Sequence, residues 1–264
     1  MTFFWLAVLA HVFTDFVLQT DRLAAMKAEM KPGAYLKHGL ALMLCTFVAT
    51  HVYGPGPALA FSAAAALVHI LIDYLKNLIP VLQRPPGTSA GRTTNTVCLF
   101  LDQALHLYAL YLLWFIFSRA FTISPCSSVF EFYAVFFPTL RLPDCFAALG
   151  YGAGNCVISA VICLYVLFGG VVIVRMQLDH LNIEKSESPA PSTGRYIGIL
   201  ERAVILILIM YDAVTAVGFV LAVKSIARFK QLEDRAFAEY YLVGTLISTL
   251  TAVAGGFALR ALWR

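Results

Sequence analysis

The sequence predicts an all-α, polytopic membrane protein of about seven transmembrane helices with no soluble domain. Three observations predict it. Of 264 residues 60% are hydrophobic and only 13% charged, and the mean hydropathy is +0.80. A soluble domain of this length is far less apolar, so the solvent is lipid rather than a large dry core. Apolar stretches close to the roughly 20 residues that bridge a bilayer recur along the chain. Turn chemistry separates them: Lys31-Pro32-Gly33, Gly54-Pro55-Gly56-Pro57, Arg84-Pro85-Pro86-Gly87 and Ser188-Pro189-Ala190-Pro191.

Taken in order, the expected spans are 2–20, 38–54, 57–79, 96–118, 152–174, 200–223 and 238–259. The first lacks a basic leader and carries His11 and Asp15, so it reads as a retained helix rather than a cleaved signal. Spans two and three should form a tight hairpin across Gly54–Pro57. This divides the chain into a four-helix unit (1–118), an extracytoplasmic loop (119–151) and a three-helix unit (152–264) with a solvated linker at 176–193.

Basic residues set the orientation. Arg22, Lys27, Lys31 and Lys37 follow span one, while Arg84 and Arg92 follow span three, so both loops belong in the cytoplasm and the N-terminus lies outside. Loop 119–151 holds only Arg119 and Arg141, as an outside loop should. Arg175, Lys185 and Arg195 return loop five to the cytoplasm. Loop six breaks the alternation: Lys224, Arg228, Lys230 and Arg235 would lie outside if all seven segments cross. Either 200–223 fails to cross or Tyr133–Leu140 helps form a re-entrant hairpin. The net charge of +4 comes from these loop residues, and no basic tract or arm for nucleic acid is present.

Cys45, Cys98, Cys156 and Cys163 fall in apolar spans as small hydrophobes. Cys126 and Cys145 share the outside loop, where a disulfide is expected. There is no CxxC, and so no thiolate zinc signature.

Chemistry concentrates in three pairs within the apolar spans: His11 with Asp15, His69 with Asp73, and Asp102 with His106. Each pair is spaced i, i+4, which puts both side chains on one helix face. The order reverses in span four, as an antiparallel helix requires. All three histidines then lie near mid-membrane, and all three aspartates lie about 6 Å nearer the cytoplasm. His38 joins the aspartate level at the cytoplasmic edge, with Gln19, Lys76 and Gln103 on the same faces. A carboxylate in hydrocarbon costs at least a few kcal/mol. One interhelical bond accounts for two polar groups; six to eight converging groups call for a ligand, a metal or a proton path.

Imidazole with carboxylate suits zinc, manganese or iron. The expected metal ligands are His11, Asp15, His38, His69, Asp73, Asp102 and His106, with Asp15, Asp73 and Asp102 as the catalytic carboxylates. Lys76, Gln19 and Gln103 are the expected substrate contacts. If Asp73 waits among like charges for a metal, Asp73→Asn should raise the stability of the metal-free protein; if Asp73 is already paired, the change should be small. His51 and His180 match no such pattern and read as solvated loop residues.

His11-Val-Phe-Thr-Asp15-Phe-Val-Leu-Gln19-Thr, the later Lys27 and His38, His69-Ile-Leu-Ile-Asp73-Tyr-Leu-Lys76 and Leu101-Asp102-Gln103-Ala-Leu-His106 resemble the domain-of-unknown-function 3307 family over about residues 3–118. That resemblance implies a multi-pass protein of the bacterial inner membrane. The His/Asp pattern is similar, more loosely, to membrane-bound metal-dependent hydrolases. Gly194-Arg-Tyr-Ile-Gly198-Ile-Leu-Glu201-Arg202, Lys224-Ser-Ile-Ala-Arg228 and Glu239-Tyr-Tyr-Leu-Val-Gly244 also resemble the C-terminal region of longer members. There Gly244, Ser248 and Thr251 form a small-residue stripe suited to helix packing, and Glu201 and Glu239 should pair with Arg202, Lys224 or Arg228. Asp212 has no helical histidine partner.

The expected function is a metal-dependent hydrolase, with zinc or manganese, acting on a lipid or lipid-linked substrate from the cytoplasmic side. The alternatives are a divalent-metal or proton transporter using the same layer, and a non-catalytic membrane subunit. The P-loop, nucleophile elbow and dinucleotide fingerprint are absent. Oligomeric state is not legible.

Overall fold

A computed structural model of the chain describes residues 1–79, 89–136, 150–181 and 191–264. Among these residues every regular element is helical. The chain divides into two compact units, Met1–Gln83 with Cys98–Val161, and Arg84–Val97 with Ile162–Arg264. Four described stretches are long and apolar enough to cross a membrane: Pro55–Leu78, Val97–Ala120, Gly154–Asp179 and Arg235–Leu262. A fifth is added if Thr2–Leu18 and Asp21–Ala28, bent by 95° from one another, count as one broken span.

In the first unit, α1 (Thr2–Phe13) runs into a π turn, Thr14–Leu18. Gln19 N–H donates to the Thr14 carbonyl five residues back (2.9 Å), which widens the last turn. Gln19 is then extended and Thr20 caps α2 (Asp21–Ala28), its hydroxyl oxygen accepting from Leu23 N–H at 3.2 Å. Asp21 complements the helix dipole in that first turn. Met30, at φ +58°, ends the segment, and Pro32 opens α3 (Pro32–Thr50) at the position where proline costs no hydrogen bond. A 3-10 turn (His51–Tyr53) and Gly54, whose φ of +108° suits glycine, lead into α4 (Pro55–Leu78). The expected tight hairpin is therefore present. α5 (Ser89–Ala120) and α6 (Ser127–Phe136) follow.

α3 and α4 approach closely at Gly39, where a Cβ would lie 2.2 Å from Ile70 Cδ1. The two neighbours of this contact, His38 and His69, are thereby brought face to face. Opposite that seam, Leu36, Leu40, Leu44 and Val48 are each more than half exposed at i, i+4 spacing. An exposed leucine stripe backing a buried polar face is what a helix between lipid and a polar interior requires. Phe3, Ala7, Phe61, Ala65 and Leu110 pack into a dry cluster. His51 is not simply solvated: its Nε2 meets Tyr133 Oη at 2.6 Å, and Cys126 N–H donates to the Val52 carbonyl, so the α3–α4 turn holds α6. His180's side chain, Cys145 (and with it the expected disulfide), residues 137–140 and linker residues 182–190 lie outside the described residues.

The second unit takes over within α7 (Gly150–Leu164). A second π turn (Tyr165–Gly169) continues into α8 (Gly170–Leu181), followed by α9 (Pro191–Met210), α10 (Ala216–Ala227) and α11 (Arg235–Leu262). Its core joins Val166, Ile205, Leu206, Ile209, Val217, Ala252 and Leu259.

The expected single span 200–223 is two helices. Asp212 adopts φ +62°, Ala213 N–H closes on the Leu208 carbonyl, and Lys224 Nζ lies 2.5 Å from Glu201 Oε2. α10 therefore folds back along α9. Hydropathy misses this reversal because no Gly or Pro marks it; aspartate is one of the few non-glycine residues that visits the left-handed region. Asp212, unexplained by the sequence, sits at this tip and pairs with Arg260 of α11. Arg202, almost wholly buried, donates to Ser248 Oγ (2.9 Å) and to the Leu167 carbonyl of the π turn (2.7 Å). Of the expected pairings, Glu201 takes Lys224, whereas Glu239 pairs within its own helix with Arg235. Gly244 packs against Leu178 and Val174, as its place in the small-residue stripe requires.

The hairpin makes a topological prediction. In a cysteine-free background, Arg195→Cys and Lys230→Cys should react with a membrane-impermeant thiol reagent from one face, and Trp263→Cys from the other. A single crossing by 200–223 would instead put Arg195 and Lys230 on opposite faces.

Candidate functional site

All three His–Asp pairs converge inside the first unit, carried by α1 and its π turn, α4 and α5. His69 is the hub. Its ring centre lies 4.2 Å from His106, 4.9 Å from His38 and 5.3 Å from His11. His38 Nε2 and His69 Nε2 are 2.9 Å apart. When both rings are neutral, one nitrogen must donate and the other accept, so the two are opposite tautomers.

The carboxylates surround this cluster. Asp15 Oδ1 lies 3.2 Å from His38 Nε2 and 3.5 Å from His69 Nε2, and its Oδ2 accepts from Gln103 Nε2 at 3.2 Å. The π turn aims Asp15 across at α3 and α4, while its own helical partner His11 is farther away at 3.8 Å. Asp73 is held on both oxygens: Lys27 Nζ donates to Oδ2 at 2.6 Å and Lys76 Nζ to Oδ1 at 3.2 Å. Lys76 also reaches Asp102 Oδ2 at 2.9 Å. His106 donates from Nδ1 to the Asp102 carbonyl (2.8 Å), which leaves Nε2 with its lone pair.

Two expectations, for His38 and Lys27, need correction. His38 is not at the edge; it lies at the centre, 1% exposed, because α3 begins at Pro32 and Gly39 lets it seat against α4. Gln19, an expected substrate contact, accepts through Oε1 from Lys27 Nζ at 2.5 Å. Gln103 bonds Asp15. Lys27, read from the sequence as a cytoplasmic loop charge, is itself a buried member of the cluster. The 95° bend carries α2 beneath the bundle, and the Lys27 carbonyl is fixed by Tyr35 Oη (2.8 Å) and Asn77 Nδ2 (3.2 Å). The polar break Gln19-Thr20-Asp21 announced a new helix, but nothing local announced where that helix would point.

The residues present fit a divalent cation. His11 Nδ1 and Nε2, Asp15 Oδ1, His38 Nδ1, Asp102 Oδ1 and His106 Nε2 are all buried without a hydrogen-bond partner. So many unsatisfied atoms at one place is abnormal for a purely structural core. Three overlapping sets bring their ligand atoms within 4.8 Å of one another: His11–Asp15–His69, His38–His69–Asp73 and Asp73–Asp102–His106. Sets of this composition suit zinc or manganese. Beside His11, His69 and His106 is a small cavity, lined otherwise by aliphatic side chains such as Leu42, Val68, Ile72 and Leu113, with room for about one water.

Residues 3–133 match the model of the family described as "Protein of unknown function (DUF3307)". No curated protein matches, and no solved structure matches.

Asp73 is already paired, and by two cations, the case in which the sequence led to the expectation of a small change for Asp73→Asn. The exchange should destabilise the metal-free protein by about 3–5 kcal/mol, because it leaves the Lys27 ammonium buried without its counter-ion. Thermal unfolding in detergent with chelator present measures this; unchanged or raised stability would contradict the pairing.

Proposed function

The chain belongs to this family through residues 3–133, the stretch that supplies every site residue, and from that premise we propose a metal-dependent hydrolase embedded in the bacterial inner membrane. Its substrate is a lipid or lipid-linked molecule reached from the cytoplasmic side. The convergence of six unsatisfied buried ligand atoms carries this reading. Structural hydrogen bonding would have consumed them; a divalent cation uses them as they stand.

His11, His38, His69 and His106 would supply neutral nitrogen ligands, and Asp15, Asp73 and Asp102 the negative charge. A bound zinc or manganese ion supplies Lewis acidity to an ester or phosphoester. The protein's own part is to hold the histidine tautomers through the carboxylates, the Asp102 carbonyl and the His38–His69 contact. On one side the site is backed by apolar packing: the Phe3–Ala7–Phe61–Ala65–Leu110 cluster lies beyond the histidine level on α1, α4 and α5. Among the described residues the charged groups of the cluster continue toward Lys27 and Lys76, and Lys76 is the partly exposed member.

One-sided access is the arrangement of an enzyme. A transporter for metal or protons, the alternative function for the same layer, needs a polar route past that dry cluster. Within the second unit the α9–α10 hairpin returns Lys224 to Glu201 near the start of α9, which suits a shared basic face for these two helix ends.

Wild-type protein purified in detergent should carry zinc or manganese, lose it to chelator with a fall in melting temperature, and lose it outright in His69→Ala. Reconstituted with bacterial lipid, it should release a hydrolysis product in a metal-dependent way and take up no metal into vesicles. A metal-free wild type indifferent to chelator would end the hydrolase reading, and metal flux without hydrolysis would replace it with the transporter.

A further inference from the structure

Lys27 and Lys76 have no place among metal ligands, yet both reach into the site, and they come from different helices. Lys27 is 6% exposed. Burying an ammonium among apolar helices is expensive, and here two of them serve Asp73 and Asp102 between them. The charge count suggests what the second cation is for. Asp15, Asp73 and Asp102 carry three negative charges, Lys27 and Lys76 two positive ones, and with neutral histidines the cluster is one positive charge short of balance. A single divalent cation turns that deficit into a surplus of one positive charge. Two such cations would leave three.

The same lysines occupy the lone pairs a metal would need. Both Asp73 oxygens and one Asp102 oxygen already accept from ammonium groups. A cation that takes Asp73 displaces a lysine, whereas Asp102 Oδ1 is open to it beside the lysine-held Oδ2. Lys76, partly exposed, is free to swing toward the cytoplasmic mouth. Lys27, with its backbone fixed by Tyr35 and Asn77, stays at the rim of the site.

We propose that Lys27 and Lys76 are a phosphate-recognition pair, standing in for the cation on Asp73 and Asp102 while the site is empty of metal and turning to a phosphate ester of the substrate once metal is bound. The proposal rests on the metal reading above. Phosphate is the anion that fits: its several oxygens can be shared between a metal and two ammonium groups, each a compact point charge with three donors. A carboxylate has too few. Metal and phosphate must then bind cooperatively, each tightening the other by the same factor.

Manganese titration of the full-length protein in detergent, with and without methylphosphonate as a soluble phosphate mimic, tests this. Wild type should bind manganese about tenfold more tightly with the mimic present, within the usual range of coupling between sites. In Lys27→Gln/Lys76→Gln, manganese should bind at least as tightly as in wild type without anion, since its competitors are gone, and the mimic should add nothing. A merely structural ion pair predicts weaker metal binding in that variant. Should the double variant fail to fold, Lys76→Gln alone, at the partly exposed position, should show the same loss of coupling in part. Repeating the titration in nanodiscs of phosphatidylcholine, with or without phosphatidic acid, separates the sources: tightening by methylphosphonate identifies a free phosphate ester, and tightening by phosphatidic acid alone identifies a lipid headgroup. Manganese binding that neither anion tightens overturns the phosphate pair and leaves the metal site standing. Coupling that persists in the double variant overturns it too. Absence of manganese binding removes the metal reading and this one with it.

Discussion

Keeping charged carboxylates inside an apolar helical bundle is the constraint from which the rest of the first unit follows. Asp73, 3% exposed, has no water to solvate it. Everything packed around it supplies a compensating donor. α2 leaves the membrane direction by 95° and brings Lys27 under the bundle. α4 turns Lys76 back onto its own Asp73 and across to Asp102. Tyr35 and Asn77 then fix the backbone that carries Lys27. Without the buried charge, no physical reason remains for a broken first span, a buried lysine or two cations on one carboxylate.

The same logic separates the two ends of the cluster. Toward the N-terminus of α1 the neighbours are aromatic and aliphatic. Toward α2 they are lysines, amides and a tyrosine hydroxyl. A low dielectric beside the histidines strengthens the electrostatic contacts among the buried charges. Each unit also places a π turn beside its buried charge: Thr14–Leu18 carries Asp15, and Tyr165–Gly169 offers the Leu167 carbonyl to Arg202. One added residue in a turn frees a carbonyl and re-aims a side chain, the usual reason such turns persist near polar groups.

Much of the site was legible because its signal is periodic. His11, Asp15, His69, Asp73, Asp102 and His106 could be placed on inward faces by i, i+4 spacing alone, and the reversed order on α5 gave their common depth. Membrane character was equally plain from composition. By contrast, Lys27 resembled any lysine of a cytoplasmic loop, Gln19 any polar residue at a helix end, and His38 a residue at the start of a span. Their true positions depend on a bend, a hydrogen bond and a glycine contact respectively, and none of these has a period. Hydropathy also read 200–223 as one crossing, because a reversal through a left-handed aspartate leaves the average apolarity unchanged.

The sequence by itself therefore determined the apolar character, the helical class, the inward faces and the shared level of the histidines and aspartates, since these follow from residue type and a fixed rise per residue. Only the tertiary structure decided which nitrogen meets which oxygen, that two lysines rather than open solvent balance Asp73, and that α9 and α10 turn back on each other. Those outcomes are set by contacts between residues far apart in the chain, where the cost of an unpaired buried charge outweighs any local preference.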